Sequence, residues 1–285
     1  MLVAIIGLGL IGGSLGLALR QGKKSSWEII GHSRRPETVA KALSVGAIER
    51  GEPNLEDAVK RAELVIIATP VLTVKEILSR IAPYLPSGCI VTDTGSTKVQ
   101  VMKWAEEMLP PTVHFTGGHP MAGRETYGIE AARADLFQRC TYCLTPSDKA
   151  SPESIDTVVD MTKNLGAIPF FIDAQEHDNL VAGISHLPML LSAALVSLTT
   201  RNPSWSKMSK LAASGYHDLT RLASGNPEVS SHICLSNQEA ILSWIDRFIQ
   251  ELERYRQLAA EGDERLEQAL TEANKARQKW LKQTR

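Results

Sequence analysis

His119 stands in the run Gly117-Gly118-His119-Pro120-Met121-Ala122-Gly123. A neutral imidazole takes up a proton near pH 7, which the oxidation of an alcohol requires. A second polar run, Asp93-Thr94-Gly95-Ser96-Thr97-Lys98, offers a hydroxyl in Ser96. The same serine would suit the N-cap of a following helix. A third run, Ile5-Ile6-Gly7-Leu8-Gly9-Leu10-Ile11-Gly12-Gly13-Ser14, contains G-x-G-x-x-G. In a dinucleotide-binding turn Gly7 permits the sharp bend, Gly9 leaves room for a pyrophosphate and Gly12 lets helix and strand close on each other. The backbone from Gly7 through Leu8, Gly9, Leu10 and Ile11 to Gly12 would then face the phosphates, aided by the partial positive charge of a helix N-terminus.

The cofactor's second phosphate has its own signal. A chain that binds NAD usually ends its second strand in Asp or Glu, which holds the ribose 2′-hydroxyl. Here the strand runs into Gly31-His32-Ser33-Arg34-Arg35. Ser33, Arg34 and Arg35 offer donors to a 2′-phosphate, and guanidinium pairs well with phosphate. NADP is therefore expected, with NAD as the alternative. Thr69 and Pro70, just past another strand, would border the same cofactor.

These groups need a scaffold that brings them to one edge. Leu2–Ile6, Glu28–Gly31, Leu64–Ala68, Cys89–Asp93, Val113–Thr116, Tyr142–Thr145 and Ile168–Ile172 are short, apolar and largely β-branched. Helical patterns lie between them, among them Pro36–Val45, Val74–Leu85 and Pro152–Asn164. Alternation of this kind predicts an α/β fold, a doubly wound parallel sheet covered on both faces. Ligands bind such sheets beyond the carboxyl ends of the strands, where the three runs fall. After Asp173 the strand signals stop. Residues 1–173 are thus expected to form a Rossmann-type dinucleotide-binding domain, and residues 174–285 an all-α domain for substrate and dimer formation. His177–Thr200 reads as one long helix kinked at Pro188. Ile241, Ile245, Phe248, Leu252 and Tyr255 alternate spacings of four and three, a seam for packing within the chain or against a second copy.

Bulk properties narrow the choice. The chain has 285 residues, 43% of them hydrophobic, enough for a sizeable core. A net charge of −1 gives no electrostatic case for nucleic acid. No unbroken apolar run reaches the roughly 20 residues that span a bilayer, so no membrane partner is expected. The apolar start lacks the basic region and cleavage pattern of a signal peptide, so the expected location is cytoplasmic. Of the four cysteines, Cys140 and Cys143 form C-x-x-C without a second pair. They lie three apart on a strand, facing opposite ways, so no metal site is expected.

The glycine loop, the runs around Ser96 and His119, then Ser185-His186-Leu187-Pro188 and Asp218-Leu219-Thr220-Arg221 occur in this order. Together they resemble the prephenate/arogenate dehydrogenase family, from about Leu2 to Phe248. The resemblance implies a cyclohexadienol substrate bearing a ring carboxylate, hydride transfer to the nicotinamide, and loss of carbon dioxide as the ring becomes aromatic. It implies that His119 takes the proton of the ring hydroxyl, that Ser96 orients His119, and that Arg221 binds a substrate carboxylate. Ser185, His186 and Met189 would line the substrate pocket. Two positions depart from the family pattern. Met189 stands where many prephenate-using members have histidine, which favours arogenate over prephenate, with dual use as the alternative. His217 stands where arginine is common. A homodimer is implied. A non-catalytic NADP sensor or scaffold would need the glycine loop and the seam, but not His119, Ser96 and Arg221 together.

Overall fold

The computed structural model describes residues 1–22, 27–123, 125–262 and 264–283. The chain forms two compact units, Met1–Gln238 and Glu239–Arg285. The first begins β1 (Leu2–Ile6), α1 (Leu10–Gln21), β2 (Glu28–His32), α2 (Pro36–Ser44), β3 (Arg50–Gly51), α3 (Leu55–Val59), β4 (Leu64–Ile67) and α4 (Val74–Ile81). It continues with β5 (Ile90–Asp93), α5 (Val99–Met108), β6 (His114–Pro120), β7 (Thr141–Pro146), α6 (Pro152–Asn164) and β8 (Ile168–Phe171). Five helices follow: α7 (Ala174–Val181), α8 (Leu187–Thr200), α9 (Trp205–Leu211), α10 (Ser214–Thr220) and α11 (Pro227–Ser236). The second unit consists of the long helices α12 (Gln238–Glu261) and α13 (Arg265–Gln283).

The eight strands form one sheet in the order β3-β2-β1-β4-β5-β6-β7-β8. Six of them follow the 3-2-1-4-5-6 order of a dinucleotide-binding sheet. Strand residues alternate between two separate cores. Ala4, Ile6, Val65, Ile67 and Val91 pack with α3, α4 and α5 on one face. Val3, Ile5, Leu64, Ile66 and Leu144 pack with α1 and α6 on the other. Burial on both faces explains why these strands read as continuous apolar runs.

The expected doubly wound parallel sheet is present, with two differences in detail. The β7 strand runs antiparallel to β6. Among the described residues no α-helix separates them, only a 3₁₀ turn at Ile129–Ala131, and without a crossover helix the chain simply turns back. The β8 strand, reached through α6, is parallel to β7 again. Secondly, His119 lies inside β6, paired with Cys143, rather than in a turn beyond it. The antiparallel partner extends β6 through the glycines. A Cβ on Gly118 would lie 2.5 Å from the Asp93 carbonyl oxygen, so only glycine fits where β6 meets β5.

From Ala174 to Thr200 the chain is continuously helical, with a π segment at Ala182–His186 just before Pro188. Proline lacks the N–H that an α-helix would use. The chain adjusts one residue earlier, where the Leu187 N–H bonds to the Ala182 carbonyl, five residues back. This run is also long and apolar enough, by length and composition, to cross a bilayer, contrary to the sequence expectation. Counting unbroken apolar residues missed it because Ser192, Ser197 and Thr199 interrupt the run. Its polar residues His177, Asp178 and His186 are nonetheless buried within the first unit.

Candidate active site

The turn between β1 and α1 is built by three glycines that are glycine for different reasons. Gly7 has φ of +99°, and a Cβ there would meet the Ala68 carbonyl oxygen at 2.6 Å. A Cβ on Gly12 would meet the Gly7 carbonyl oxygen at 1.8 Å. The protein itself forbids a side chain at both. At Gly9 an added Cβ would have no neighbour within 4 Å. No protein atom requires glycine there, and the space it leaves is open to a ligand. Gly9 is also the N-cap of α1 and gives the helix no side-chain cap. The first N–H groups of an α-helix have no partner within it, so these face the open space and suit a pyrophosphate.

At the end of β2, the His32 ring turns away to the Glu52 carbonyl, with Nδ1 at 2.9 Å. Its own carbonyl accepts from Gly7 N–H at 2.9 Å, tying the glycine turn to the strand. Arg34 and Arg35 are exposed, and neither forms an ion pair among the described residues. The Ser33 hydroxyl accepts from Arg35 N–H at 3.4 Å.

His119 is 8% exposed. Its Nδ1 lies 2.8 Å from His177 Nε2, and His177 Nδ1 lies 2.7 Å from Asp178 Oδ1. Asp178 accepts in addition from the backbone N–H of Lys98 at 2.7 Å and of Val99 at 2.9 Å. Its carboxylate thus caps the N-terminus of α5, the role the sequence suggested for Ser96. A side chain from another helix supplies the acceptor, because Lys98 rather than Ser96 is the N-cap residue and gives no side-chain cap of its own. Beside the histidine, fully buried Lys98 donates to Asp93 Oδ2 at 2.5 Å and to the Gly118 carbonyl at 2.7 Å. Asp93 also accepts from Gly95 N–H at 2.7 Å and Gly118 N–H at 3.0 Å. Burial pushes the His119 imidazole well below its ordinary value of 6.5, and the neighbouring His177, Lys98 and His186 push the same way. His119 is therefore neutral at pH 7.

His186, on the π segment, lies near the same histidine. It is 1% exposed, and its Nδ1 lies 3.3 Å from the Asn237 amide nitrogen. Burial lowers it to about 4, with Asp178 opposing. Its Nε2 is buried without a hydrogen-bond partner among the described residues. Ser185 and Met189 flank it on the π segment and α8, both half-buried. The Arg221 guanidinium, just after α10, forms an ion pair with Glu125, so a substrate carboxylate would have to take the place of that side chain. Among the described residues, the one hydrogen-bond partner of the His119 ring is His177, not Ser96. No group of three potential metal ligands occurs among the described residues. The sequence reading missed His177, Asp178 and Glu125. The local signal for the first two is slight, because His177 and Asp178 sit in a helix start already rich in polar residues, between Glu176 and Asn179.

Residues 15–169 match the family model for the nucleotide-binding domain of prephenate dehydrogenase, and residues 173–272 match that for its dimerization domain. The chain belongs to the prephenate dehydrogenase family. It is 34% identical to a prephenate dehydrogenase of Bacillus subtilis (strain 168), over 92% of this chain and 71% of that protein. Two solved relatives show the same fold throughout. Synechocystis arogenate dehydrogenase is 31% identical with a TM-score of 0.81, covering 98% of this chain and 100% of that one. The prephenate dehydrogenase of A. aeolicus, in complex with hydroxyphenyl propionate and NAD+, is 29% identical with a TM-score of 0.90, covering 98% of each chain. As a member of this family, the protein is a dehydrogenase of the prephenate/arogenate type with a nicotinamide cofactor.

That assignment gives Gly9 a sharp test. Gly9→Ala is expected to fold as the parent does, because its methyl group meets no protein atom, yet to weaken nicotinamide nucleotide binding about tenfold or more, a loss of at least about 1.4 kcal/mol. Calorimetric titration with the cofactor, beside a thermal melt, reads both. Unchanged affinity would mean the pyrophosphate does not lie against Gly9.

Proposed function

We propose that this protein oxidises and decarboxylates arogenate, in preference to prephenate, with NADP as the hydride acceptor, as a cytoplasmic homodimer in tyrosine biosynthesis. The observation that carries the cofactor choice is the end of β2, where exposed Arg34 and Arg35 replace the usual carboxylate and have no ion-pair partner among the described residues. The residues lining the glycine turn, Gly7 to Gly12, would hold the pyrophosphate, Ser33 to Arg35 the 2′-phosphate, and Thr69 and Pro70 the flank of the nucleotide. Bound there, the nicotinamide would accept hydride from the carbinol carbon of the substrate ring.

The remaining steps fall to side chains. His119, neutral and buried, removes the hydroxyl proton through Nε2, the nitrogen not engaged by His177. Ser96 offers a hydroxyl to the same oxygen. Arg221 exchanges Glu125 for a substrate carboxylate, a charge-assisted pair for a charge-assisted pair. Excluding water around His119 and His186 strengthens each of these contacts. Met189 supports the arogenate preference: an apolar side chain there leaves the side-chain carboxylate of prephenate without a cation, whereas arogenate carries its own ammonium. Residues 1–173 act as the nucleotide-binding part and residues 174–285 as the substrate and dimer part, a division supported by the bounds of the two family models. Exposed Leu252 and Ile249 on α12, and Leu198 on α8, are apolar surface that a second copy could cover.

The test is a comparison of initial rates with arogenate or prephenate, each with NADP or NAD, followed by nicotinamide absorbance. Arogenate with NADP is expected to lead in kcat/KM by about a hundredfold, some 2.7 kcal/mol in transition-state stabilisation. Equal or better rates with prephenate and NAD would leave the family assignment standing and overturn both preferences.

A further inference from the structure

The hydrogen bonds behind His119 run in one direction. Asp178 accepts backbone N–H groups through both carboxylate oxygens. Facing that carboxylate, His177 Nδ1 must carry a proton and donate it. With that proton on Nδ1, the His177 ring presents its lone pair at Nε2. His119 Nδ1, 2.8 Å away, must be the donor to it. The tautomer of His119 is thereby fixed, with its proton on Nδ1 and its lone pair on Nε2. Sequence neighbours do not build this chain: His177 lies 58 residues beyond His119 and Asp178 lies 80 residues beyond Lys98.

We propose that His177 and Asp178 are positioning residues for the dehydrogenase reaction, holding His119 as the Nδ1–H tautomer and taking up the charge that arrives when its Nε2 is protonated. The inference rests on the reading of His119 as the group that removes the hydroxyl proton. In that step the substrate O–H bond breaks and an N–H bond forms at His119 Nε2, while the hydride leaves for the nicotinamide. The Nδ1 proton of His119 shifts toward His177 Nε2, and the Nδ1 proton of His177 shifts toward Asp178 Oδ1. The positive charge ends beside a carboxylate that the N-terminus of α5 holds in place.

The need for such support is visible in the surroundings. Lys98, from the start of α5, has the sign to repel an imidazolium and faces His119, with the rings of His177 and His186 beside it. Lys98 is neutralised locally by Asp93. Burial adds a desolvation cost to any charge on His119. An imidazole in that setting is a poor base unless a counter-charge is within reach. Asp178, acting through His177, is the carboxylate the hydrogen bonds connect to it.

The decisive comparison is His177→Leu against His177→Gln in the full chain. Glutamine keeps a carbonyl that accepts from His119 Nδ1–H; leucine keeps volume but accepts nothing. The leucine variant is expected to lose about a hundredfold in kcat, with KM changed less than about threefold. The acid limb of its kcat/KM profile should move to lower pH, since the protonated imidazole has lost its support. Glutamine is expected to recover about tenfold of the lost rate. Nitrogen NMR of histidine-labelled protein should show His119 as the Nδ1–H tautomer in the parent and the glutamine variant, and a mixture in the leucine variant. Equal kcat for the two variants, with an unchanged tautomer and pH profile, would overturn the proposal and leave His177 a packing residue. A parent protein that turned over no cyclohexadienol would sink the activity reading instead, and the tautomer spectrum would still decide the positioning of His119.

Discussion

His119→Asn is expected to lower kcat by about 10²–10⁴-fold, the usual contribution of a positioned acid or base, while cofactor binding stays within about twofold of the parent. The site explains the separation. His119 is the penultimate residue of β6 and pairs with Cys143 through the backbone, so a shorter side chain leaves the sheet intact. What disappears is the imidazole bonded to the His177–Asp178 chain. Asparagine has no nitrogen that takes a proton near neutral pH. The pH profile of the parent adds an independent check. Burial first, then His177, Lys98 and His186, hold His119 well below 6.5. The base works when neutral, hence above its lowered value. The kcat/KM of the parent, which reports the free enzyme, should therefore stay level from neutral pH through 6.5 and fall only in more acidic solution. An acid limb at 6.5 or higher would place the working base in a wetter setting than His119. An Asn variant within tenfold of the parent would remove His119 from the chemistry.

How much of this could be read from the chain depends on the range of the interactions. Ser151 followed by Pro152 announces α6 because a cap acts over three residues, and Ser151 does accept from Ser154 N–H. The runs Leu2–Ile6 and Leu64–Ile67 announce buried strands because burial on both faces leaves no polar alternation to hide them. Local rules fail where a distant group takes over a local task. Ser96 reads as a cap, yet Asp178 arrives from α7 to accept the N–H groups at the start of α5. Gly117-Gly118-His119-Pro120 reads as a turn, yet an antiparallel partner carries the strand through it. Arg221 reads as a free carboxylate binder, yet Glu125 from the loop after β6 already holds it. The glycine loop was legible residue by residue, with Gly9 already set apart from its neighbours. The surrounding atoms add that a side chain would clash with the protein at Gly7 and Gly12 but not at Gly9.

The largest effect on stability is expected at Lys98. Lys98 and Asp93 are both fully buried, and the ammonium lies 2.5 Å from the carboxylate. Lys98→Met should cost about 3–5 kcal/mol in urea unfolding at pH 7, the range for leaving one half of a buried ion pair behind. Against a typical total of about 5–15 kcal/mol, such a loss takes a large part of the margin. Two groups would be stranded: the Asp93 carboxylate keeps only backbone donors at Gly95 and Gly118, and the Gly118 carbonyl loses its lysine donor. A second change, Asp93→Asn in the Lys98→Met background, removes the orphaned charge. It should return part of the loss, since a buried pair replaced as a whole is close to neutral. The two variants also separate stability from catalysis. Gly118 precedes His119 in β6, so the lysine sets the backbone from which the imidazole reaches His177. If the double variant regains stability but kcat stays low, the pair is retained for the placement of His119 rather than for the fold. If Lys98→Met costs under about 1 kcal/mol, the charge on Asp93 is balanced by its backbone donors alone, and the lysine is dispensable to both.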